Sequence, residues 1–222
     1  MAKTRAVVSW SSGKDSAWAL HMLREENEYE VVGLVTTINE TAARVAMHAV
    51  RESLLEAQAA VVELPLWRVP IPSPCSNEQY EAAMRRVLQR ARAADVRAFA
   101  FGDLFLTDIR AYREKQLTGS GVTPLFPLWM RATGALAREM LDHGLRAVLT
   151  CVDPRQLAPE FAGHEFNVEL LQALPAGVDP CGENGEFHTF VYAGPMFHHS
   201  IPVAVGDVIE RDGFAFADVA RC

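Results

Sequence analysis

The sequence predicts an α/β protein, with a Rossmann-like parallel sheet of about five strands followed by a smaller mixed α+β region. Short apolar runs rich in β-branched residues alternate with stretches of helical length through most of the 222 residues. This alternation is typical of βαβ units, whose strands are parallel. After Asp153 the alternation stops, and one short helical stretch is followed by segments typical of hairpins. We therefore expect a sheet region over 1–125 and a smaller region over 126–222.

The individual elements follow from local patterns. Strands are expected at 5–10, 31–37, 60–64, 96–101 and 146–152, in apolar runs such as RAVVSW and VVGLVTT. Helices are expected at 14–26, 41–60, 77–94, 107–116, 133–142 and 165–174. Prolines at 65, 70, 72 and 74 predict an irregular loop. The strand at 146–152 either joins the first sheet or belongs to the second region, so the boundary near 125 stays open.

The composition excludes several classes of protein. Half of the residues are hydrophobic and the charge is modest, so a disordered chain is not expected. No run approaches the roughly 18 apolar residues of a membrane helix, and the first residues lack the apolar core of a secretory leader. The four cysteines lie far apart, with no CxxC pair and no metal-ligand spacing. We therefore expect a cytoplasmic protein with reduced thiols and no membrane partner.

The charge balance argues against nucleic acid as a ligand. The chain has 21 Lys plus Arg against 28 Asp plus Glu, a formal charge of −7, and no basic cluster. Only Lys3, Lys14 and Lys115 are lysines among these cations. Lys14 therefore stands out, because it lies in the most unusual hexapeptide of the chain. Homo-oligomerisation is left open by these numbers.

That hexapeptide, Ser11-Ser12-Gly13-Lys14-Asp15-Ser16, lies between the first predicted strand and the first predicted helix. Ligands of open α/β sheets bind at the carboxyl ends of strands, and a helix N-terminus offers free N–H groups to an anion. Lys14 would add a positive charge. The hexapeptide is not a Walker A loop, because Val8 stands where that motif needs Gly, and Asp15 follows the lysine. The simplest alternative is a strand-to-helix turn that binds nothing.

The hexapeptide resembles the pyrophosphate-binding loop of the ATP-pyrophosphatase (PP-loop) superfamily, usually written SGGKDS, whose sheet is of the HUP type. The resemblance implies that ATP is cleaved between its α and β phosphates, and that pyrophosphate is held by Ser11, Ser12, Gly13, Lys14, Asp15 and Ser16. Mg²⁺ is implied as a cofactor, with Asp15 as its candidate ligand. Ser12 departs from the common Gly, and a positive φ there would strain it by roughly 1 kcal/mol.

A second group of reactive side chains follows at 177–190, GVDPCGENGEFHTF. Glu183 and Glu186 flank Asn184-Gly185, a pair that favours a type I′ hairpin turn with solvated glutamates on either side. His188 and Thr189 come directly afterwards. Such a density of chemically able groups favours a functional site over a plain turn.

GENGEFHT resembles the signature of one PP-loop family, the diphthamide synthase-like ATP-pyrophosphatases (diphthine–ammonia ligase and relatives). Three further stretches are similar to that family, and they lie at 47–51 with 58–59, at 101–104 with 108–110, and at 124–129. The similarity covers about 10–197. It implies an ATP-dependent ligase that adenylates a carboxylate, releases pyrophosphate and forms an amide with ammonia.

The resemblance, read with the chemistry of each side chain, assigns candidate roles. Lys14, Glu183, Glu186 and His188 are the catalytic candidates, the glutamates as metal ligands or proton acceptors and His188 as a base or a packed hairpin residue. Adenine is expected near Val35 and Thr36, with Gly102 allowing close approach of the nucleotide. The candidates for binding the acceptor are His48, Asp103, Asp108, Arg110, Arg113, Asn184 and Thr189. For His48 the alternative is packing on its helix, and for Arg110 it is an ion pair with Glu114.

Other functions remain as alternatives. A nucleotide-binding regulatory module of the same fold would have no need of Lys14 or of the glutamates. Another PP-loop enzyme could adenylate a small metabolite. Thiolation of tRNA would need persulfide cysteines and a basic face, which this chain lacks. The expected partners are therefore a nucleotide, ammonia, and a carboxylate on a protein side chain or a metabolite.

Overall fold

A computed structural model describes residues 2–39, 44–45 and 50–222 of the chain. The first half alternates strands with helices, as the sequence predicts. Its elements in chain order are β1 (Thr4–Ser9), α1 (Lys14–Glu25), β2 (Tyr29–Asn39), β3 (Arg44–Val45), α2 (Glu52–Val61), β4 (Leu66–Ile71), α3 (Asn77–Ala93), β5 (Ala98–Ala100), α4 (Thr107–Leu117) and β6 (Thr123–Leu125).

These strands form one sheet with a parallel core of five strands in the order β4-β2-β1-β5-β6. β3 adds two residues antiparallel to the end of β2. β1 lies in the middle, and its side chains alternate between two cores. Val8 packs into one core with α1 and α2, whereas Val7 packs into the other with α3. The predicted fold class is confirmed, and the order of the strands places the end of β1 where ligands of such sheets bind.

Two expectations around residues 41–74 are wrong in the described residues. The helix expected at 41–60 begins only at Glu52, and Arg44–Val45 pairs with Ile38 and Asn39 instead. The strand expected at 60–64 lies instead at Leu66–Ile71, within the segment where prolines predicted a loop. Pro70 is tolerated there because β4 pairs only with β2 in the described part, and an edge strand can do without one N–H.

The second half forms a separate, antiparallel sheet. Its elements are α5 (Thr133–Asp142), β7 (Arg146–Val152), a 3₁₀ turn (Pro159–Phe161), β8 (Glu165–Phe166), α6 (Val168–Ala173), β9 (Phe187–Ala193), β10 (Val203–Arg211) and β11 (Phe214–Arg221). β7 is central and pairs with β8, β9 and β11, while β10 and β11 form a hairpin. β7 therefore belongs to the second sheet, and the fifth strand of the first sheet is β6.

The two sheets share one hydrophobic core. Val8 and Leu20 of the first half belong to the same buried cluster as Val148 and Phe190 of the second. The end of β1 is consequently buried beneath β9. None of the helices in the described ranges combines the length and apolar character that a membrane crossing requires.

Candidate active site between the two sheets

The hexapeptide forms a tight turn that leads from β1 into α1. Ser12 has a φ of +72°, in the left-handed region, so the strain considered from the sequence is present. Gly13 is the N-cap of α1 and offers no side chain to the first N–H groups. A Cβ on Gly13 would lie 3.2 Å from the Thr189 carbonyl oxygen, so β9 leaves little space for any larger residue.

The turn is held in place from outside by Gln58, a fully buried side chain of α2. Its Nε2 donates to the carbonyl oxygens of Ser12 (3.0 Å) and Val191 (2.7 Å), and its Oε1 accepts from Trp10 Nε1 at 2.8 Å. The Val191 N–H also donates to the Ser12 carbonyl oxygen at 3.0 Å. We predicted no role for Gln58 from the sequence. The available signal was its position as a polar residue in an Ala-rich helix, within one of the stretches that resemble the family.

Two of the three serine hydroxyls in the turn form hydrogen bonds within the turn, and the third has no hydrogen-bond partner. The hydroxyls of Ser11 and Ser16 lie 3.2 Å apart, and Ser16 Oγ donates to the Gly13 carbonyl oxygen at 2.9 Å. Ser12 Oγ is buried and has no hydrogen-bond partner. A buried hydroxyl without a partner costs about 1–3 kcal/mol, so Ser12 adds this cost to the strain of its positive φ.

Lys14 is buried, with 2% of its side chain exposed, and its ammonium is surrounded by oxygen atoms. Nζ donates to Asp15 Oδ1 (3.0 Å), to Asp15 Oδ2 (2.8 Å) and to the carbonyl oxygen of Cys181. Burial by itself lowers the pKa of Lys14, but Asp15, together with Cys181 and Glu183, more than offsets this and raises the pKa above its ordinary value. Lys14 is therefore a fixed positive charge at the start of α1.

The second loop, residues 179–186, is folded by two of its own carboxylates. Asp179 Oδ2 accepts from the N–H groups of Cys181 (3.1 Å) and Glu183 (3.0 Å). Glu186 is 2% exposed; its Oε1 accepts from Asp179 N at 2.9 Å and from Asn184 Nδ2 at 3.0 Å, and its Oε2 accepts from Asn184 N at 2.9 Å. The hairpin around Asn184-Gly185 is absent from this described loop, because Glu186 draws the chain into a compact turn ahead of β9.

Glu183 differs from Glu186 because it lines a cavity. Glu183 Oε1 accepts from the Leu104 N–H at 2.7 Å, which ties the second loop to the segment between β5 and α4. Burial raises the pKa of Glu183 to about 7. Burial, with Lys14 nearby, lowers the pKa of His188 to about 4. At neutral pH, Glu183 is therefore the better proton acceptor of the two.

A cavity of about 270 Å³ brings most of the predicted site residues together. It is enclosed by the turn after β1, the end of β5, α4 and the start of β9. The predicted residues in its lining are Ser11, Gly13, Lys14, Asp15, Ser16, Gly102, Asp103, Arg113, Glu183, His188 and Thr189. Thr189 also accepts from the Lys14 N–H at 3.1 Å, so β9 and α1 are joined at the cavity wall.

Other predicted site residues do not reach this cavity. Ser12 is fully buried and is not part of the cavity wall. Glu186 and Asn184 hydrogen-bond within the second loop, and Asp108 is exposed. Arg110 pairs with Glu114 at 2.8 Å, as the alternative reading of that helix face expects, and its guanidinium lies over Phe126 and Trp129. His48 lies outside the residues that the structure describes.

The three residues expected near the nucleotide lie in three different environments. Val35 lines a second cavity of about 480 Å³ beside the first. Thr36 is buried and donates to the Trp10 carbonyl oxygen at 2.7 Å, so its hydroxyl is used within the sheet. Gly102 lines the first cavity, so its predicted approach to a nucleotide stays a prediction. A Cβ there would also lie 2.8 Å from the backbone carbon of Asp15, so close packing against α1 is a second reason for glycine at this position.

The side chains at the cavity suit a divalent cation only if the phosphate oxygens of a bound nucleotide supply further ligands. No group of three His, Cys, Asp or Glu side chains within the described ranges is placed to hold a metal ion. Asp15 offers a carboxylate at the cavity, although both of its oxygens already accept from Lys14. Mg²⁺ in nucleotide sites is typically held by one or two carboxylates and by phosphate oxygens. Asp15 is the cavity carboxylate that would contribute to such an arrangement.

Comparison with known proteins finds matches to both halves of the chain. Residues 4–124 match the family model described as the diphthamide synthase N-terminal domain, and residues 132–220 match the diphthamide synthase C-terminal domain. A Mus musculus protein named diphthine–ammonia ligase is 26% identical over 239 residues, covering 95% of this chain and 86% of the mouse protein. The Homo sapiens protein of that name is 27% identical over 184 residues, 75% of this chain and 68% of the human one.

Proposed function

The chain belongs to the diphthamide synthase family, and on this premise we propose that it is an ATP-dependent, amide-forming ligase. We propose that it transfers AMP to a carboxylate, releases pyrophosphate, and lets ammonia displace AMP to form the amide. The observation that carries this proposal is the meeting of the Ser11–Ser16 turn and Glu183 in a single cavity. An anion-binding group and a proton acceptor are the two functions that the two half-reactions need.

In the first half-reaction, an acceptor oxygen attacks the α phosphorus, and the bond to the bridging oxygen of pyrophosphate breaks. Negative charge then accumulates on the departing pyrophosphate. Lys14, Ser11, Ser16 and the uncapped start of α1 line the cavity, and we propose that they stabilise that charge. Because these groups are already fixed by Gln58 and β9, little reorganisation is needed as the charge develops.

In the second half-reaction, the nitrogen donor must reach the acyl-adenylate as neutral ammonia. Ammonium is the dominant form at neutral pH, so a nearby base helps by removing a proton. Glu183 has a pKa of about 7 and lines the cavity, which makes it the proposed acceptor of that proton. The ammonia attacks the carbonyl carbon, its nitrogen releases a second proton to solvent, and the bond from the carbonyl carbon to the AMP oxygen breaks. AMP leaves with the oxygen that had been part of the acceptor.

The cofactor and the acceptor complete the proposal. Mg²⁺, when bound, would neutralise charge on the phosphate oxygens, with Asp15 as its candidate ligand. The curated relatives are named for diphthine as acceptor; for this chain we propose only a carboxylate, on a protein side chain or a metabolite. We further propose that 1–125 binds ATP, that 126–222 contributes the acceptor side, and that the protein works in the cytoplasm.

The experiment is a product analysis with candidate acceptors. The protein is incubated with ATP, Mg²⁺, ammonium and pooled carboxylic acids, including peptides that carry diphthine, the acceptor in the relatives' names. We expect AMP and pyrophosphate in equal amounts, with the amide appearing only in the pools that stimulate AMP release. Formation of ADP and phosphate as the only nucleotide products would overturn the proposal.

A further inference from the structure

The second cavity differs in character from the first. It measures about 480 Å³ and lies beside the turn after β1. Most of its wall is apolar or aromatic, including Trp10, Val35, Ile71, Phe99 and Phe101. Arg113 is the single charged side chain that the described residues contribute to this wall. Such a pocket suits a flat, uncharged ring system rather than a phosphate group.

The two cavities meet at a wall made of Ser9, Ser11 and Arg113, which line both. One side of this wall carries Lys14 and the start of α1, and the other side is largely apolar. A nucleoside triphosphate has the matching polarity, since its base is uncharged and its terminal phosphates carry most of the charge. A nucleotide that occupies both cavities therefore places its α-phosphate near the shared wall.

Arg113 is held at this wall with an unused donor. Its Nη1 donates to the Tyr80 hydroxyl at 3.2 Å, and its guanidinium lies 5.0 Å from the centre of the Phe101 ring. Its Nε lies 3.6 Å from Asp103 Oδ2, which is too long for a hydrogen bond. Both of these atoms are buried and have no hydrogen-bond partner. Asp103 therefore orients the guanidinium by charge while leaving the Nε–H donor unsatisfied.

We infer that Arg113 contacts the α-phosphate of the nucleotide, and not the acceptor as the sequence suggested. This role rests on the proposed function and makes Arg113 a catalytic residue of the adenylation step. When the acceptor oxygen attacks, the α-phosphorus gains a bond before the bond to pyrophosphate has fully broken. A guanidinium stabilises the charge on the non-bridging oxygens through a planar, charge-assisted contact that Lys14 cannot supply from the other cavity.

The test measures binding of three probes to the full chain by calorimetry, with no need for the acceptor. Adenosine, AMP and inorganic pyrophosphate are titrated into the wild type and into Arg113→Gln. We expect Arg113→Gln to reduce the preference for AMP over adenosine about tenfold, which corresponds to about 1.4 kcal/mol. Its affinities for adenosine and pyrophosphate stay within about twofold, and unchanged adenosine binding shows that the pocket is folded. Arg113→Lys should restore part of the preference.

Matched variants distinguish the outcomes. Arg85→Gln removes an exposed guanidinium from α3 and should change none of the three affinities. Lys14→Ala should weaken pyrophosphate and leave the preference for AMP. If Arg113→Gln retains the full preference, or loses adenosine as strongly as AMP, the inference is wrong. A wild-type protein that binds none of the probes would count against the proposed function itself.

Discussion

The two loops of the site obtain their shape in opposite ways. The Ser11–Ser16 turn is held largely from outside, since Gln58 and β9 bond to its backbone while the Ser12 hydroxyl stays without a partner. The second loop is held from within, by the carboxylates of Asp179 and Glu186. Glu183 and Glu186 are three residues apart and of the same type, but Glu183 lines the cavity whereas Glu186 is bonded within its own loop.

This contrast teaches that a dense cluster of reactive residues contains both scaffold and chemistry. Glu186 accepts three hydrogen bonds and faces the backbone of its own loop. Glu183 faces the cavity and has a raised pKa. The same division applies around the first turn. Lys14 supplies a positive charge at the cavity, whereas Gln58 holds the backbone of the turn in place. Substitutions that separate the two roles test the contrast directly.

The largest effect is expected for Glu183→Gln. If Glu183 removes the proton from ammonium, amide formation should fall about 10²–10⁴-fold while nucleotide binding is retained. Initial rates against pH check the assignment: the wild-type rate should rise as pH passes about 7, where Glu183 ionises. That limb should disappear in the variant. A variant that keeps both its rate and the limb would remove Glu183 from the mechanism.

The same substitution has an opposite effect on stability, which provides an internal control. The folded state keeps the proton of Glu183 up to about pH 7, whereas the unfolded chain releases it near 4.5. Since the folded state binds more protons over that range, burial of Glu183 costs stability as pH rises from about 4.5 to 7. Glu183→Gln should therefore gain stability over the wild type through this window. Urea unfolding at several pH values measures the difference, and parallel curves would contradict it.

Lys14→Ala should come next in size. Loss of one preorganised positive charge typically lowers kcat about 10²–10³-fold, and the Asp15 carboxylate would also lose its partner. The measurement is steady-state release of pyrophosphate. Lys115→Ala removes an exposed lysine of α4 and serves as the control. Equal activity of the two variants would show that the charge at α1 is not used.

Gln58→Leu tests the outer frame of the first turn. The change leaves the Trp10 indole N–H and the Ser12 and Val191 carbonyl oxygens without their side-chain partner, so we expect a loss of about 2–4 kcal/mol in unfolding free energy. Affinity for pyrophosphate should fall as well. Gln89→Leu, at an exposed position of α3, is the control. A stable Gln58→Leu protein would mean that β9 alone holds the turn.

Glu186→Gln should lower the unfolding free energy by about 1–3 kcal/mol, because one of its acceptor oxygens becomes a donor that faces N–H groups. Amide formation should fall only as far as the loop opens, and the pH limb near 7 should remain. Thermal unfolding and the rate profile together check this. If Glu186→Gln were as stable as the wild type but its rate no longer rose near pH 7, Glu186 rather than Glu183 would be the proton acceptor.

Ser12→Gly is expected to give the smallest change. Glycine adopts the φ of +72° without strain, and the variant also removes a buried hydroxyl that lacks a partner. We expect a gain of about 1 kcal/mol in stability. If the hydroxyl binds pyrophosphate, affinity for that anion should fall in the same variant. A protein that is no more stable would show that the turn is relaxed with serine.

Local patterns were sufficient for the class of the first sheet and for the first turn, but they placed β4 at 60–64 and predicted no strand at 123–125. Alternating apolar runs predict βαβ units, and a strand followed by Ser-Gly-Lys at a helix start predicts the turn that lines the first cavity. Partners distant in sequence were not accessible in this way. The pairing of β7 with β9 and the edge position of Pro70 depend on which strands meet. The roles of Gln58 and Glu186 depend on hydrogen bonds across folded loops, so residue type alone did not separate them from reactive groups.

Transfer of an oxygen isotope tests the central claim most directly. The stimulating carboxylic acid is labelled with ¹⁸O in its carboxylate, and the AMP formed with ATP and ammonium is weighed by mass spectrometry. Attack of the carboxylate on the α phosphorus, followed by displacement by ammonia, predicts one ¹⁸O atom in each AMP and none in pyrophosphate. Unlabelled AMP, or label in inorganic phosphate, would contradict adenylation of the acceptor at this site.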